Sequence, residues 1–270
     1  PMLRDAENTV SGDDVYSSLA GLPDFVTENE AVRDQLIDWQ VNWVERFGID
    51  YFRVDTVKHV DTTTWQAFKN ELTKVDPDFK MIGELSGAGY NSAALGIGGM
   101  DALLDFDFND TAQKFVTGDL SSAEAFMVSR NAGMNNTSMV GSFMSSHDED
   151  GLMTKLMEQN GLTPEDAENK FKVAAALQMT SKGQVIIYYG EEIGLTGKDN
   201  YPYQTNRYDF DWEELENQKK DSASMYNHYK KLLAIRNANS ELFARGTRTT
   251  VAVNDAEGYD VFAPTYGNKS

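Results

Sequence analysis

The stretch Tyr51-Phe52-Arg53-Val54-Asp55-Thr56-Val57-Lys58-His59 carries the fold prediction. Its first four residues are mostly aromatic or β-branched and Gly48 lies just before them, which is typical of a buried strand that follows the end of a helix. Charged residues begin where this strand ends, and that is where α/β proteins keep their chemistry. On this stretch alone, an equally good interpretation is that Asp55 caps the next helix and Arg53 neutralises it.

A helix is predicted on each side of this strand. The first begins at Thr27, where Thr27-Glu28-Asn29-Glu30 fits a capping box, and it ends at Gly48. Its apolar residues recur at spacings of three and four and are expected to be core: Leu36, Trp39, Trp43 and Phe47. The second helix begins at Asp61 or Thr62 and stops at Asp76-Pro77-Asp78. Its predicted buried face comprises Trp65, Phe68, Leu72 and Val75.

Strands and helices continue to alternate along the chain. Further strands are predicted at residues 79–83, 102–106, 139–144 and 184–189, and further helices around 122–130, from Thr163 onward and at 223–236. Regular alternation of this kind predicts a parallel sheet, here with about five strands. Beyond Gly246 the period changes, and the residues on either side of 254–258 predict a β-hairpin.

Composition and charge exclude several classes of function. The chain has 270 residues, enough for one large α/β domain or for one domain and a small second one. Its formal net charge of -19 argues against nucleic acid and against anionic membranes as partners. It contains no cysteine, so neither a disulfide framework nor a thiolate site exists. No stretch approaches the 18 apolar residues that a membrane span needs.

Three carboxylates follow apolar strands at their carboxyl ends: Asp55, Glu84 and Asp148. In a parallel barrel all these ends lie on one face, so the three can converge on one pocket. Converging carboxylates suit either ligation of a hard cation or glycoside cleavage, and spacing alone leaves both open. Arg53 would keep Asp55 ionised and oriented. Glu84, with fewer charged neighbours, is the better candidate for a general acid.

Several of these segments resemble a known family. The segments 52–59, Gly83-Glu84 and Phe143-Met144-Ser145-Ser146-His147-Asp148 are similar, in the correct order, to three consecutive signatures of the alpha-amylase family of glycoside hydrolases. Leu22-Pro23-Asp24 and residues 183–192 resemble two weaker signatures. The resemblance covers nearly the whole chain. It implies an α/β fold, the (β/α)8 TIM barrel, with strands four to eight present.

The resemblance also assigns roles. It implies that Asp55 is the catalytic nucleophile, that Glu84 is the general acid/base and that Asp148 stabilises the transition state. The substrate-binding residues that it implies are Arg53, Lys58, His59 and His147. It further implies that the backbone carbonyl of His59 is a ligand of calcium, whose other ligands would lie upstream of this chain.

Two departures from the family pattern are visible. Ser146 stands where the fourth signature usually has Asn, which blurs the subfamily more than the activity. The family's first signature, on the third barrel strand, is absent. The expected domains are therefore the tail of an inserted domain at 1–26, the second half of the catalytic barrel at 27–245 and the start of a C-terminal antiparallel β-sandwich at 246–270. The upstream half of the same polypeptide is an expected partner, without which the chain should lack hydrolase activity.

The function expected from the resemblance is retaining cleavage of α-glucosidic bonds in starch or maltodextrins, by an extracellular enzyme. The alternatives are a transglycosylase, a debranching or cyclodextrin-cleaving relative, and a non-catalytic carbohydrate-binding fragment. Stacking of Tyr208 or Trp212 on sugar and an ordered loop are equally good interpretations of the segment 206–212. Glu191 and Glu192 are expected to be structural.

Overall fold

The structure, a computed structural model, describes residues 2–270. The chain divides into two compact units, each described here by itself. Unit 1 contains residues 2–88 and Ser92–Leu104, and unit 2 contains Gly89–Asn91 and Asp105–Ser270.

Unit 1 is built from parallel strands and the helices that connect them. Its elements are α1 (Glu30–Phe47), β1 (Tyr51–Val54), α2 (Thr62–Val75), β2 (Lys80–Gly83) and β3 (Ala102–Asp105, whose last residue belongs to unit 2). Strand β2 pairs in parallel with β1, where Val54 lies opposite Gly83, and with β3, where Gly83 lies opposite Leu103. The predicted alternation of strands and helices is thus confirmed here.

The first helix begins later than the sequence predicts. Its N-cap is Asn29, whose side chain accepts a hydrogen bond from the amide of Ala31. The predicted capping box at Thr27 is wrong, because the Thr27 hydroxyl donates to the Asp61 carboxylate at 2.8 Å instead. Gly48 ends α1 in the left-handed conformation, as predicted.

The aromatic stripe of α1 is not core. Trp39, Trp43 and Phe47 are 47%, 50% and 56% exposed, whereas Ile37 and Val44 are buried. Periodicity shows that a helix has an apolar side, but it does not show which apolar side meets the sheet. Strand β1 is likewise buried only at Val54, so the prediction of a fully buried strand is also wrong.

The second helix agrees with its prediction at both ends. Asp61 is the N-cap and accepts a hydrogen bond from the Thr64 amide, and Asp76 is the C-cap. Leu72 is completely buried, although Val75, predicted on the same face, is 38% exposed. The buried core of unit 1 comprises Val44, Val54, Val57, Leu72, Phe79, Met81, Ala88, Met100 and Leu103.

Unit 2 contains the longer run of helices. Its elements are α3 (Phe106–Thr117), α4 (Leu120–Gly133), β4 (Val140–Ser142), α5 (Leu152–Thr154, continued by a π-helical turn at Lys155–Gln159), α6 (Pro164–Met179), β5 (Gln184–Val185), α7 (Trp212–Gln218), α8 (Met225–Ala238), α9 (Ser240–Arg245), β6 (Thr247–Asn254) and β7 (Tyr259–Thr265). Strands β4 and β5 are parallel, and β6 and β7 form the predicted antiparallel hairpin. None of the helices in residues 2–270 is long and apolar enough to cross a bilayer.

The sequence prediction missed α3. This helix starts directly at the end of β3 without a loop, and Asp105 is its N-cap, accepting a hydrogen bond from the Phe108 amide at 3.0 Å. The sequence prediction expects a turn between a strand and a helix, and because none is present it extends the strand to Phe106 and overlooks the helix. The predicted helix around 122–130 is correct and corresponds to α4.

A buried ion pair joins α4 to the end of β3. Arg130 is fully buried, and its Nε donates to the Asp105 carboxylate, itself fully buried, at 2.8 Å. Its Nη1 also donates to the carbonyl of Lys182. The same guanidinium lies over the ring of Phe108 at 5.2 Å. One side chain therefore connects the strand end, two helices and the approach to β5.

Replacing Arg130 should destabilise unit 2 strongly. Arg130→Met keeps the volume but leaves the Asp105 carboxylate buried without its cation, which costs about 3–5 kcal/mol. The matched control is Lys74→Met, which removes an exposed pair with Glu71 at 2.5 Å and should cost at most about 0.5 kcal/mol. Urea unfolding measures both, and equal effects of the two substitutions would contradict the assignment.

Candidate active site

The site in unit 1 begins where β1 and β2 end side by side. Val54 and Gly83 are register partners, so Asp55 and Glu84 are the next residues on two adjacent parallel strands. The ladder continues past the strands, because the Glu84 amide donates to the Val54 carbonyl at 2.7 Å and the Val57 amide donates to the Glu84 carbonyl at 3.0 Å. Adjacent strands lie about 4.8 Å apart, so the backbones of both carboxylates are fixed at that spacing.

Gly83 permits this close approach. A Cβ atom at position 83 would lie 2.7 Å from Cγ2 of Val57, a residue that is completely buried. It would also meet the side chain of Leu103 at 3.1 Å. Any larger residue before Glu84 would push the segment after Asp55 away from the sheet.

Arg53 contacts the predicted nucleophile. Its Nη1 lies 2.5 Å from Oδ1 of Asp55, two residues further along the same strand. The two side chains are 35% and 68% exposed, so solvent screens the pair. This contact agrees with the predicted supporting position of Arg53, and the catalytic role of Asp55 stays a prediction.

Thr56 holds the other carboxylate through its backbone. Its amide donates to Oε2 of Glu84 at 2.9 Å. Its φ of 48° and ψ of 44° place it in the left-handed region, which disfavours a β-branched residue. Sequence reasoning missed this contact because a backbone amide leaves no residue-type signal.

Lys58 and His59 follow in a 3-10 turn, Val57–His59. The Lys58 ammonium lies 4.0 Å from the Asp14 carboxylate. His59 Nδ1 lies 2.9 Å from the backbone carbonyl of Asp14. Both predicted substrate-binding residues thus contact the segment before α1.

The described residues do not form a complete calcium site by themselves. Calcium takes six to eight oxygen ligands, usually with several carboxylates among them. Residues 2–270 contain no group of three His, Cys, Asp or Glu side chains that could hold a metal ion. The carbonyl of His59 alone does not make a site, and calcium binding stays a prediction.

Unit 2 brings the other predicted residues together after β4. His147 Nε2 lies 3.0 Å from Oδ2 of Asp148. Arg207 contacts both, since its Nη2 lies 3.0 Å from Oδ1 of Asp148 and its Nε donates to the His147 carbonyl at 2.8 Å. Ser146, at the position where the family usually has Asn, accepts a hydrogen bond from the Asp148 amide at 3.2 Å. Sequence reasoning missed Arg207 as a partner of Asp148, which is distant in the chain.

Aromatic residues of unit 2 are exposed around the same segment. Tyr208 and Trp212 are 60% and 70% exposed, and the Trp212 ring lies 4.6 Å from that of Phe210. Tyr189 is 41% exposed, and its hydroxyl donates to the Tyr208 carbonyl at 2.7 Å. Stacking of these rings on sugar stays a prediction.

Glu191 is a buried carboxyl group of unit 2 with a raised pKa. It is only 3% exposed, and burial raises its pKa to about 8, against the lowering effect of hydrogen bonds from Ser145 and the Tyr188 amide. Burial therefore favours its protonated, neutral form.

Comparison with known proteins identifies the family. The model of the alpha-amylase catalytic domain matches residues 13–214. The chain is 30% identical to the periplasmic alpha-amylase of Escherichia coli (strain K12), over 92% of this chain and 39% of that protein. It is 27% identical to the cyclomaltodextrinase of Geobacillus thermopakistaniensis, over 95% of this chain and 42% of that protein. The chain belongs to the alpha-amylase family of glycoside hydrolases.

Solved structures agree on the fold. The alpha-amylase of Geobacillus thermoleovorans, complexed with acarbose, superposes with a TM-score of 0.76 at 26% identity, over 94% of this chain and 54% of that one. An Anoxybacillus alpha-amylase gives a TM-score of 0.77 at 24% identity, over 99% of this chain and 57% of that one. The predicted TIM-barrel fold of the family is thus confirmed. The strand numbers four to eight and the β-sandwich stay predictions, and the chain spans about two fifths of the length of these curated relatives.

The strain at Thr56 is measurable. Thr56→Gly keeps the backbone amide that Glu84 accepts from and removes the left-handed penalty of about 1–2 kcal/mol, partly offset by the greater freedom of Gly in the unfolded chain. A net gain of up to about 1 kcal/mol is therefore expected in urea unfolding. The matched control is Ala20→Gly, at the other non-glycine residue with positive φ among residues 2–270. Loss of stability in Thr56→Gly beside a gain in Ala20→Gly would show that the threonine side chain itself stabilises the turn.

Proposed function

We propose that Asp55 and Glu84 are the catalytic pair of a retaining glycoside hydrolase that cleaves α-glucosidic bonds. The observation that carries this proposal is their placement at the same level on adjacent parallel strands, with Arg53 on one and the Thr56 amide on the other. Retaining enzymes need two carboxyl groups about 5–5.5 Å apart, which adjacent strand ends can supply.

In the proposed reaction each carboxyl group has one role per step. Glu84 gives its proton to the glycosidic oxygen as that bond breaks, and the Asp55 carboxylate forms a bond to the anomeric carbon. Glu84 then accepts a proton from water, whose oxygen attacks the same carbon and releases Asp55. The hydrogen bond from Thr56 fixes the oxygen of Glu84 that stays unprotonated. Asp148 and His147 would grip sugar hydroxyls and stabilise the positive charge that develops on the ring.

The substrate class we propose is a neutral α-glucan, starch or maltodextrin. A net charge of -19 does not repel such a substrate. A cyclodextrin-cleaving or transglycosylating activity is the alternative, and the likeness to a cyclomaltodextrinase favours the former. An extracellular location stays a prediction, since the relatives include a periplasmic and an intracellular enzyme.

The two carboxylates can be told apart by the leaving group. In the intact enzyme, completed by the further barrel strands, Asp55→Asn should reduce turnover of every substrate to background while maltooligosaccharide still binds. Glu84→Gln should slow starch hydrolysis by about 10²–10⁴-fold but spare aryl maltosides, whose good leaving groups need little protonation. Glu71→Gln, at an exposed carboxylate of α2, is the control and should leave turnover of both substrates unchanged. Equal slowing of starch and aryl maltoside by Glu84→Gln would remove its role as the acid.

We also propose that activity requires further barrel strands that cover the aromatic side of α1. Trp39, Trp43 and Phe47 are half exposed there, and β1 is at the edge of the strand order in the described residues. Ring stacking of Trp43 on Phe47 at 5.0 Å makes one continuous apolar face. Such a face is typical of a surface that another part of a protein covers.

Mixing experiments test whether further barrel strands are required for activity. Residues 1–270 alone should lack hydrolase activity, and mixing with the preceding half of a family barrel should restore some of it. Trp43→Glu should abolish the restoration because it buries a charge. Val173→Glu, at a similarly exposed apolar residue of α6, should leave it intact. A soluble, monomeric and active enzyme made of residues 1–270 alone would refute the proposal.

A further inference from the structure

Asn206 is a buried amide that the catalytic assignment does not use. It lies in a 3-10 turn, Thr205–Arg207, and is 7% exposed. Its Nδ2 lies 3.3, 3.0 and 2.8 Å from the backbone carbonyl oxygens of Ser146, His147 and Glu149, respectively. The segment with these carbonyls, Ser146–Glu149, carries both predicted sugar-gripping side chains of unit 2.

The turn that presents Asn206 is itself fixed. The Tyr188 hydroxyl donates to the Asn206 carbonyl at 2.7 Å, and the Asn206 amide donates to the Lys198 carbonyl at 3.2 Å. Gly197 allows the close packing behind it, since a Cβ atom there would lie 2.4 Å from Cα of Asn206. The amide group therefore cannot retreat from the carbonyls by a shift of its backbone.

The side chain at position 206 must be a hydrogen-bond donor. Carbonyl oxygens accept hydrogen bonds, and an amide NH₂ has two N–H groups to give, whereas a carboxylate has none. The remaining atom of the group, Asn206 Oδ1, is buried without a partner among the described residues, and so is Oε1 of Glu191. Asn206 and Glu191 line the same cavity of about 20 Å³. A cavity of that size holds one water molecule.

We propose that Asn206 is a positioning residue that fixes the segment Ser146–Glu149 and so aims His147 and Asp148, and that Glu191 supports it across the shared cavity. This role deepens the proposed function and rests on it for its catalytic meaning. Arg207 contacts Asp148 directly through a charge, whereas Asn206 acts only on the backbone beneath it.

The neutral form of Glu191 is the one that can donate a hydrogen bond towards Asn206. A protonated carboxyl group has an O–H to donate, which can reach the Asn206 oxygen through one water in the cavity that both residues line. The groups that face Glu191 are the Ser145 hydroxyl, the Tyr188 amide, the Glu192 and Glu149 carboxylates and the buried Tyr229 of α8. Burial and the two carboxylates raise the pKa of Glu191 to about 8, above its ordinary value of 4.5. Stability from this raised pKa is complete below about pH 4.5 and is lost as the pH rises through 8.

The first test replaces the donor. Asn206→Asp is nearly isosteric but presents a carboxylate to the three carbonyls. Asn200→Asp is the matched control, because Asn200 is exposed and uses its oxygen, which Asp retains, to accept from the Thr205 amide at 3.2 Å. In the complemented enzyme, Asn206→Asp should lower kcat about 100-fold with KM nearly unchanged, as expected for misplacement by about 1 Å. Amide hydrogen exchange in residues 145–151 should become at least about tenfold faster, equivalent to about 1.4 kcal/mol of lost local protection.

The second test removes the ionisation. Glu191→Gln keeps a neutral donor and acceptor, and Glu192→Gln is the adjacent control. In the wild type and in Glu192→Gln, exchange in residues 145–151 should accelerate between about pH 5 and about pH 8.5 beyond its intrinsic base dependence. In Glu191→Gln this extra acceleration should be absent. Asn206→Ala repeats the first test without a charge should Asn206→Asp fail to fold.

Hydrogen exchange separates this proposal from the proposed function, because it needs no turnover. Unchanged exchange at 145–151 in the folded Asn206 variants would overturn the positioning role whatever the activity. Faster exchange spread evenly over unit 2 would overturn it as well, because that indicates global destabilisation. Local acceleration in a protein that hydrolyses no glucan even after complementation with the further barrel strands would support the positioning of the segment and refute the proposed function.

Discussion

The site in unit 1 depends on one constraint: the parallel ladder between β1 and β2 continues beyond the strands. Hydrogen bonds from Glu84 to Val54 and from Val57 to Glu84 pin two consecutive strand ends together. Gly83 makes room for the buried Val57 that closes this arrangement. Backbone geometry therefore fixes the positions of Asp55 and Glu84 before any side-chain interaction is considered, and the carboxylates inherit the rigidity of the sheet.

Local rules predict the elements of this fold well, and they fail where burial depends on distant neighbours. Asp61 caps α2 and Pro164 opens α6, because capping is decided within a few residues. The stripe around Trp43 was assigned to the core because spacing reveals a side of a helix but not what covers it. Helix α3 was missed since Asp105 ends a strand and caps a helix at once, which leaves no turn in the sequence.

In the candidate site, too, some residues could be predicted from the sequence and others could not. The placement of Asp55, Glu84 and Asp148 after strand ends could be predicted, because strand ends have a residue-type signal and the segments around them resemble family signatures; their catalytic roles stay predictions. Thr56 could not, since its contribution is a backbone amide in a left-handed turn. Asn206 could not either, because its three acceptors are carbonyls about 60 residues earlier in the chain. Such contacts depend on tertiary structure alone.

Backbone-mediated positioning also suits the charge of this protein. A chain with a net charge of -19 that places two carboxylates on adjacent strand ends must hold them against mutual repulsion. A cation bound between Asp55 and Glu84 would hold them by neutralising the negative charge that the proposed reaction needs on Asp55. Hydrogen bonds from Thr56 and Asn206 restrain a carboxylate or the backbone beneath it and add no net charge. Arg53 and Arg207 contact the carboxylates of Asp55 and Asp148, which are half exposed or more, so solvent screens both ion pairs. The two arginines therefore orient these carboxylates without cancelling their negative charge.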